Sequence, residues 1–301
     1  MAFRTDIVTL LGVIFLLVFT GITKPVSSNI IPDLNGNDGS LVLEFSNEPL
    51  KLFRKQEELS LSQNQVLLPG DRMETSYMQF AVLRLSDGSG LIIHPLSRIS
   101  LSDNGKKIIL TDADIHFNYS GENSTPPEID TIQCFGNRIS VPFDGEPLSF
   151  GVQCRAESGL VFSVQDGSIY LHSEEKSHEM NEGHALLGRT TSNDFMEVSI
   201  PARPQIIDSA HAQSPEIPES NESPIHFHWL DVSMTDHYLV HIHRQNSDEA
   251  KHLFHLQKAN HFTPGQLSPG TYLLRVMAID YYGVSGSWSE PQVFDISESA
   301  D

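Results

Sequence analysis

Histidine is the residue type in this chain with both the number and the spacing to do chemistry. Of 14 histidines, eight fall between His226 and His261. Two H-x-H pairs stand out, His226/His228 and His241/His243. Alternate residues of a β-strand share a face, so each pair can offer two imidazoles to one metal ion. Phe227 and Trp229 need the core, however, which turns His226 and His228 outward. Tyr238, Val240 and Ile242 likewise turn His241 and His243 outward. On strands of opposing sheets the pairs point away from each other, and four imidazoles cannot converge. What remains is His241 and His243 with His252 or His255 from a neighbouring strand, a set suited to zinc, copper or nickel. The competing reading is a solvated face that titrates near neutral pH.

Other constellations approach a motif and fail on position. His178-Glu179 with Glu182 and His184 nearly spells H-E-x-x-H, but it lies between strands, and a zincin site needs both histidines on one helical face. Asp33, Asn35, Asn37 and Glu44 fit a calcium loop at four positions, yet Asp38 stands where the sharp turn requires glycine. Glu57-Glu58, Asp112/Asp114 and Glu174-Glu175 sit in polar turns or at strand ends, as solvated acids do. No G-x-S-x-G elbow, P-loop or dinucleotide fingerprint occurs. No catalytic residue and no cofactor is therefore expected. Tyr281, Tyr282 and Trp288 are candidates for an aromatic contact surface, with burial in a β core as the alternative. Asn118, Asn123 and Asn221 head N-x-[ST] triplets, which matter only where such sites are glycosylated.

Composition limits the elements that position these residues. Charged residues make up only 19% of 301, and Phe, Val, Ile and Thr recur in short runs, which favours strands over helices. A formal net charge of −20 argues against nucleic acid and against a polybasic membrane-surface role. The two cysteines, Cys134 and Cys154, suggest one disulfide in an oxidising compartment, or else two buried thiols. Arg4 and the apolar run Ile7 to Thr20, followed by Gly21, Lys24 and Pro25, read as a secretory signal cleaved near Val26-Ser27-Ser28. The rival is an uncleaved inner-membrane anchor over residues 7–22, although this run is short of the ~20 residues that span a bilayer. Asp6 suits neither reading.

From Leu67 to Leu101 the pattern is hairpin after hairpin. Pro69-Gly70-Asp71 is a turn, and Asp87-Gly88-Ser89 separates Phe80, Val82, Leu83 and Leu85 from Leu91, Ile92 and Ile93. Gly70-Asp71-Arg72-Met73-Glu74-Thr75, then Ala81 to Leu85, then Asp87-Gly88-Ser89 and Ser97, resembles the FecR domain. Its pattern is roughly GD-x-I-x-T, an apolar run, DGS and S-x-[IL]-x-L. The resemblance implies an all-β module working outside the cytoplasm, and implies no reaction. Leu160 to Leu171 repeats the scheme around Asp166-Gly167-Ser168, which suggests hairpins at both ends of one module. With the turn at Gly183-His184 it also resembles the usual continuation of that domain.

Pro201, Pro204, Pro215, Pro218 and Pro224 among Ser, Glu and Gln read as a linker long enough for the halves to reorient. Beyond it, Phe227 and Trp229, then Tyr238, Val240 and Ile242, alternate as sandwich strands. Leu267-Ser268-Pro269-Gly270-Thr271-Tyr272 and Arg275-Val276-Met277-Ala278, with Tyr282 to Ser289, resemble a fibronectin type III module in which Tyr272 is the tyrosine corner. The expected fold is all-β: an N-terminal FecR-like module of antiparallel hairpins, as a sandwich or short solenoid, and a C-terminal fibronectin type III-like sandwich. The expected boundaries are 1–28 for the signal peptide or short anchor, 29–47 for a flexible lead-in, and 48–203 for the first module. The linker is expected over 204–223 and the sandwich over 224–297.

These readings lead to a non-catalytic, exported binding or scaffold protein of the bacterial cell envelope. It would be periplasmic, docking an envelope protein or a polysaccharide such as peptidoglycan, and would meet the membrane only if the N-terminal segment stays uncleaved. An accessory role in cell-surface signalling is the alternative. FecR-type regulators hold a sigma factor through a cytoplasmic domain, and the six residues before the apolar run are too few for that. An envelope enzyme acting on glycans is the third reading, and it needs convergent acids or a metal.

Overall fold

The strand Lys107–Tyr119 joins the two layers of the N-terminal body. Its apolar core positions are Ile108 and Leu110 in the first half, then Ala113, Ile115, Phe117 and Tyr119 in the second, while His116 is buried on the other face. The change from even to odd positions marks one extra residue. Ile99 faces Leu110 while Arg98 faces Asp112, so Thr111 is skipped. Such a bulge bends a strand and resets which side faces the core. The first half pairs with Arg98–Leu101 and, in parallel, with Thr131–Cys134. The second half pairs with Gly90–Ile93 and Leu148–Arg155.

The computed structural model describes residues 41–119, 129–141, 146–173, 176–190, 194–210, 225–245, 252–265 and 267–296. The signal-peptide reading, Asp33, Asn35 and Asn37 of the calcium template, Asn123, Glu174-Glu175, Asn221 and most of the expected linker lie outside the described residues. All of the described residues belong to one compact unit, Asp38–Asp301, and their secondary structure is β throughout.

One sheet of the N-terminal body runs from Leu41–Ser46 through Ala81–Arg84 and Gly90–Ile93 to the long strand. It continues through Leu148–Arg155, Gly159–Asp166 and His184–Gly188 to Phe195–Ser199. The other runs from Glu57–Leu61 through Leu50–Arg54, Arg72–Glu74 and Arg98–Leu101 to the same long strand. It continues through Thr131–Cys134, Asn137–Ser140 and Ser168–His172 to Ser177–Asn181. A single apolar core draws residues from both, among them Leu43, Leu83, Phe117 and Phe150 from one and Leu52, Met73, Ile132 and Leu171 from the other. The body's first described strand, Leu41–Ser46, falls inside the expected lead-in.

The residues that carried the FecR resemblance hold the frame. Asp71 is buried, and both its oxygens take hydrogen bonds from the Arg54 guanidinium, at 2.8 and 2.6 Å, while Leu68 N–H donates to it at 2.8 Å. Thr75 Oγ1 donates to His94 O and accepts from Ser97 N, both at 2.8 Å. Asp87 closes its hairpin by accepting from Ser89 N at 2.7 Å, with Gly88 at φ 85°. A buried carboxylate is tolerated only with charged or N–H partners, which Asp71 finds outside the motif, in Arg54 and Leu68, and Asp87 within it, in Ser89.

The second Asp-Gly-Ser is not a hairpin. Gly159–Asp166 pairs in the first sheet and Ser168–His172 in the second, so Asp166-Gly167-Ser168 is a corner where the chain changes layers. Gly167 has φ 74°, and a Cβ there would stand 2.8 Å from the Pro147 carbonyl oxygen. The two stretches share turn chemistry, and their pairing partners decide the geometry.

The C-terminal sandwich sets Ile206–Ala210, His226–Trp229 and His261–Phe262 in one sheet. Its second sheet holds His252–Gln257, Thr235–Arg244, Gly270–Asp280 and Ser285–Trp288, with Gln292–Ile296 pairing the first half of Gly270–Asp280. Trp229, Phe227, Tyr238, Val276 and Phe294 fill its core. The Tyr272 hydroxyl donates to Ser268 O at 2.7 Å, as a tyrosine corner does. The sandwich thus starts at Ile206, within the expected linker of 204–223.

Candidate functional site

The strand Thr235–Arg244 carries the surest sequence expectation, alternation, and departs from it. Tyr238 to Ile242 are all buried. Tyr238, Val240 and Ile242 enter the sandwich core. Leu239, with Met277 and Ile279 of the next strand, packs against Phe80, Val82 and Ile92 of the N-terminal body. A strand covered on both faces reads as a continuous apolar run rather than an alternating one. The signal was present on both sides, in Tyr238-Leu239-Val240 and Val276-Met277-Ala278-Ile279, and in Phe80 to Leu83. The outer face of this sheet is a seam between the modules, which are packed on each other.

A second patch pins the same seam. Val284 packs with Val161 and Ala185. Gln165 Nε2 donates to Ser285 O at 2.8 Å, and the Ser163 and Ser285 hydroxyls lie 3.0 Å apart. Gly151 is required here, because a Cβ would stand 2.5 Å from Ser285 Oγ.

Along this seam His241, expected in solvent, is only 4% exposed. Its Nε2 is 2.8 Å from His252 Nδ1, and its ring stacks on Phe254 at 4.5 Å between centroids. His243 stacks on His252 at 4.6 Å. His252 Nε2 lies 3.8 Å from Glu44 of the N-terminal body, at ion-pair rather than hydrogen-bond distance, and Glu44 is also paired with Arg84. Burial pushes the Glu44 carboxyl up, but His252 and Arg84 outweigh it and hold the pKa at about 2. Burial, reinforced by the nearby Arg275, drives His241 well below the usual histidine value. His255 stands apart: it pairs with Val240 and its ring lies 5.2 Å from Phe262, on the opposite face of its strand from His252. The four histidines proposed as ligands are therefore divided, and the three on one face are stacked ring on ring. Among the described residues no group of three or more His, Cys, Asp or Glu is placed to hold a metal ion.

The other outward pair sits where expected. His226 and His228 are exposed, His226 Nδ1 is 2.7 Å from Thr263 Oγ1, and His228 lies beside His261. His178 and His184, expected on one surface hairpin, lie on strands of different sheets: Ser177–Asn181 pairs with Ser168–His172, and His184–Gly188 with Gly159–Asp166 and Phe195–Ser199, so the turn between them is another corner between layers. Asp112 faces Arg98 and Arg155, and Asp114 faces His94, so these acids are engaged in pairs.

The three aromatic candidates are also divided. Trp288 turns into the seam, where the Arg275 guanidinium lies over its ring at 5.2 Å and its indole N–H donates to His116 Nε2 at 3.3 Å. Tyr281 and Tyr282 are 71% and 60% exposed. They occupy a turn held rigid by Asp280, whose Oδ1 accepts from Tyr282 N at 2.8 Å and Val284 N at 2.9 Å. Beside it, Thr235 pairs with Asp280 at the end of the neighbouring strand, and the preceding Met234 is 68% exposed at φ 63°. A non-glycine residue in that region is strained by roughly 1–2 kcal/mol. Sequence reading missed Met234, and only its exposure and backbone reveal it. Cys134 and Cys154 are bonded to each other, linking the two sheets of the N-terminal body.

No family model matches the sequence, and no curated protein is similar to it. Solved structures share only a faint likeness. An anti-sigma factor candidate from Parabacteroides distasonis aligns over 42% of this chain and 59% of its own length, at 12% identity and a TM-score of 0.36. A multi-domain stretch of titin covers 81% of this chain and 87% of its own length, at 12% identity and a TM-score of 0.21. The extracellular domain of a candidate hybrid two-component system from B. thetaiotaomicron covers 79% and 37%, at 10% identity and 0.20. Scores this low carry nothing about function.

Proposed function

We propose that this chain is a non-catalytic, exported binding scaffold of the bacterial cell envelope, of the FecR-domain type. It presents the Tyr281-Tyr282 turn, with Met234 beside it, to an envelope protein or polysaccharide. The observation that carries this reading is the rigid display of two exposed tyrosines next to a strained, exposed methionine. Tyrosine supplies a large contact area at little entropic cost and is enriched where proteins bind. Met234 adds exposed apolar area beside the tyrosine pair; its positive φ is shared by the exposed Met78 and Leu96 of the N-terminal body. The bonded cysteines support an oxidising compartment, and the N-terminal apolar run supports export to the periplasm.

The test is cosedimentation of the full chain with isolated envelope, separated into membrane and peptidoglycan fractions. Wild type is expected to sediment with one fraction, and Tyr281→Ser/Tyr282→Ser to bind about tenfold more weakly, the size of a modest hot spot. Equal binding by both chains, or binding by neither, would contradict the proposal.

A further inference from the structure

We propose that the seam between the two modules is a proton-operated latch, released when the histidines buried in it are protonated. The latch is chemical before it is electrostatic. Trp288 Nε1–H can only donate, so His116 Nε2, which receives it at 3.3 Å, must be unprotonated. Ser149 Oγ stands 3.0 Å from the same nitrogen. The single proton of the neutral ring is then on Nδ1, which is buried without a hydrogen-bond partner. Adding a proton to Nε2 destroys the acceptor that bonds the sandwich to the N-terminal body. The new charge would be set among apolar groups, with His116 1% exposed.

The groups around the seam mostly oppose that charge. His116 faces His94 from its own module and Arg275 from the sandwich, and with burial as the main cause its pKa is lowered to about 3. His94 is lowered by burial as well; Asp114, 3.6 Å away, favours its charge, while Arg155 and His237 disfavour it. On the far side of Trp288, His241 faces Arg275, His252 and His243, all disfavouring a charge. His243 is lowered chiefly by burial and then by His252, with Glu44 favouring its charge and Arg275 and Arg84 disfavouring it. Two carboxylates thus offset a seam otherwise set against protonation.

The sign follows from linkage. A histidine whose pKa is lower in the closed seam than in water binds more protons once the seam opens, so closure strengthens as pH rises. Closure is complete above about pH 6.5, the histidine value in water. Below it, closure weakens by roughly tenfold per pH unit for each histidine involved, until the closed-state pKa is reached.

The experiment is a pH titration of the full chain by small-angle scattering, with far-UV circular dichroism read in parallel. Between pH 7.5 and 4 the radius of gyration is expected to rise while the β signal stays constant. In His116→Gln, which stays neutral and keeps an oxygen that can accept from Trp288, release should need about tenfold more protons. A constant radius of gyration in wild type, loss of the β signal at the same pH as expansion, or release at the same pH in His116→Gln would each overturn the latch. The wild-type titration decides the matter alone if the variant does not fold.

Discussion

Replacing Leu239 by aspartate is expected to split the unfolding of this chain into two transitions. Leu239 is fully buried, on the face of its strand opposite Tyr238 and Val240. Its neighbours are Phe80, Val82 and Ile92 from one module and Met277 and Ile279 from its own. Aspartate there loses the apolar burial and places a carboxylate in the seam, costing roughly 5 kcal/mol in all. That loss falls on the contact between modules, because the sandwich core lies on the other face of the sheet. Urea denaturation followed at several wavelengths should show one transition in wild type and two in Leu239→Asp. A single transition, shifted to lower urea, would mean that the residue belongs to a core the modules do not share.

Breaking the disulfide is expected to cost the N-terminal body about 3 kcal/mol, the loop-closure value for a bridge spanning 20 residues. Cys134 ends a strand of one sheet, and Cys154 lies in the other beside Ala113 of the long strand. The bridge therefore ties the layers close to the bulge where the long strand changes sheet. Urea midpoints of Cys134→Ser/Cys154→Ser against wild type measure the effect. No shift would place the bridge outside the folding unit.

Much of this architecture was legible in the residues. Asp87-Gly88-Ser89 is a hairpin because its flanking runs pair with each other, and Tyr272 is a corner because its hydroxyl has one backbone acceptor within reach. Local chemistry decides such features. The seam was not legible by alternation, since alternation assumes that one face of a strand meets water. Leu239 and Met277, apolar on the supposed wet face, carried the contrary signal. His241 was misplaced for the same reason, and Trp288 parted from Tyr281 and Tyr282 because the seam claims one and leaves two in water. Asp166-Gly167-Ser168 read as a second hairpin because a turn motif fixes the bend and not the partner strand. Thr111, the extra residue on which the long strand changes layers, has no composition that marks it.

The claim beneath the latch is that the two modules are energetically joined. Phe80 of the N-terminal body stacks on Phe254 of the sandwich, with centroids 4.9 Å apart and planes at 16°. A double-mutant cycle with Phe80→Leu and Phe254→Leu, read as unfolding free energy, tests that union most directly. The joined seam predicts a coupling of about 1 kcal/mol, as expected for a packed aromatic pair. Effects that add to within about 0.3 kcal/mol would contradict it.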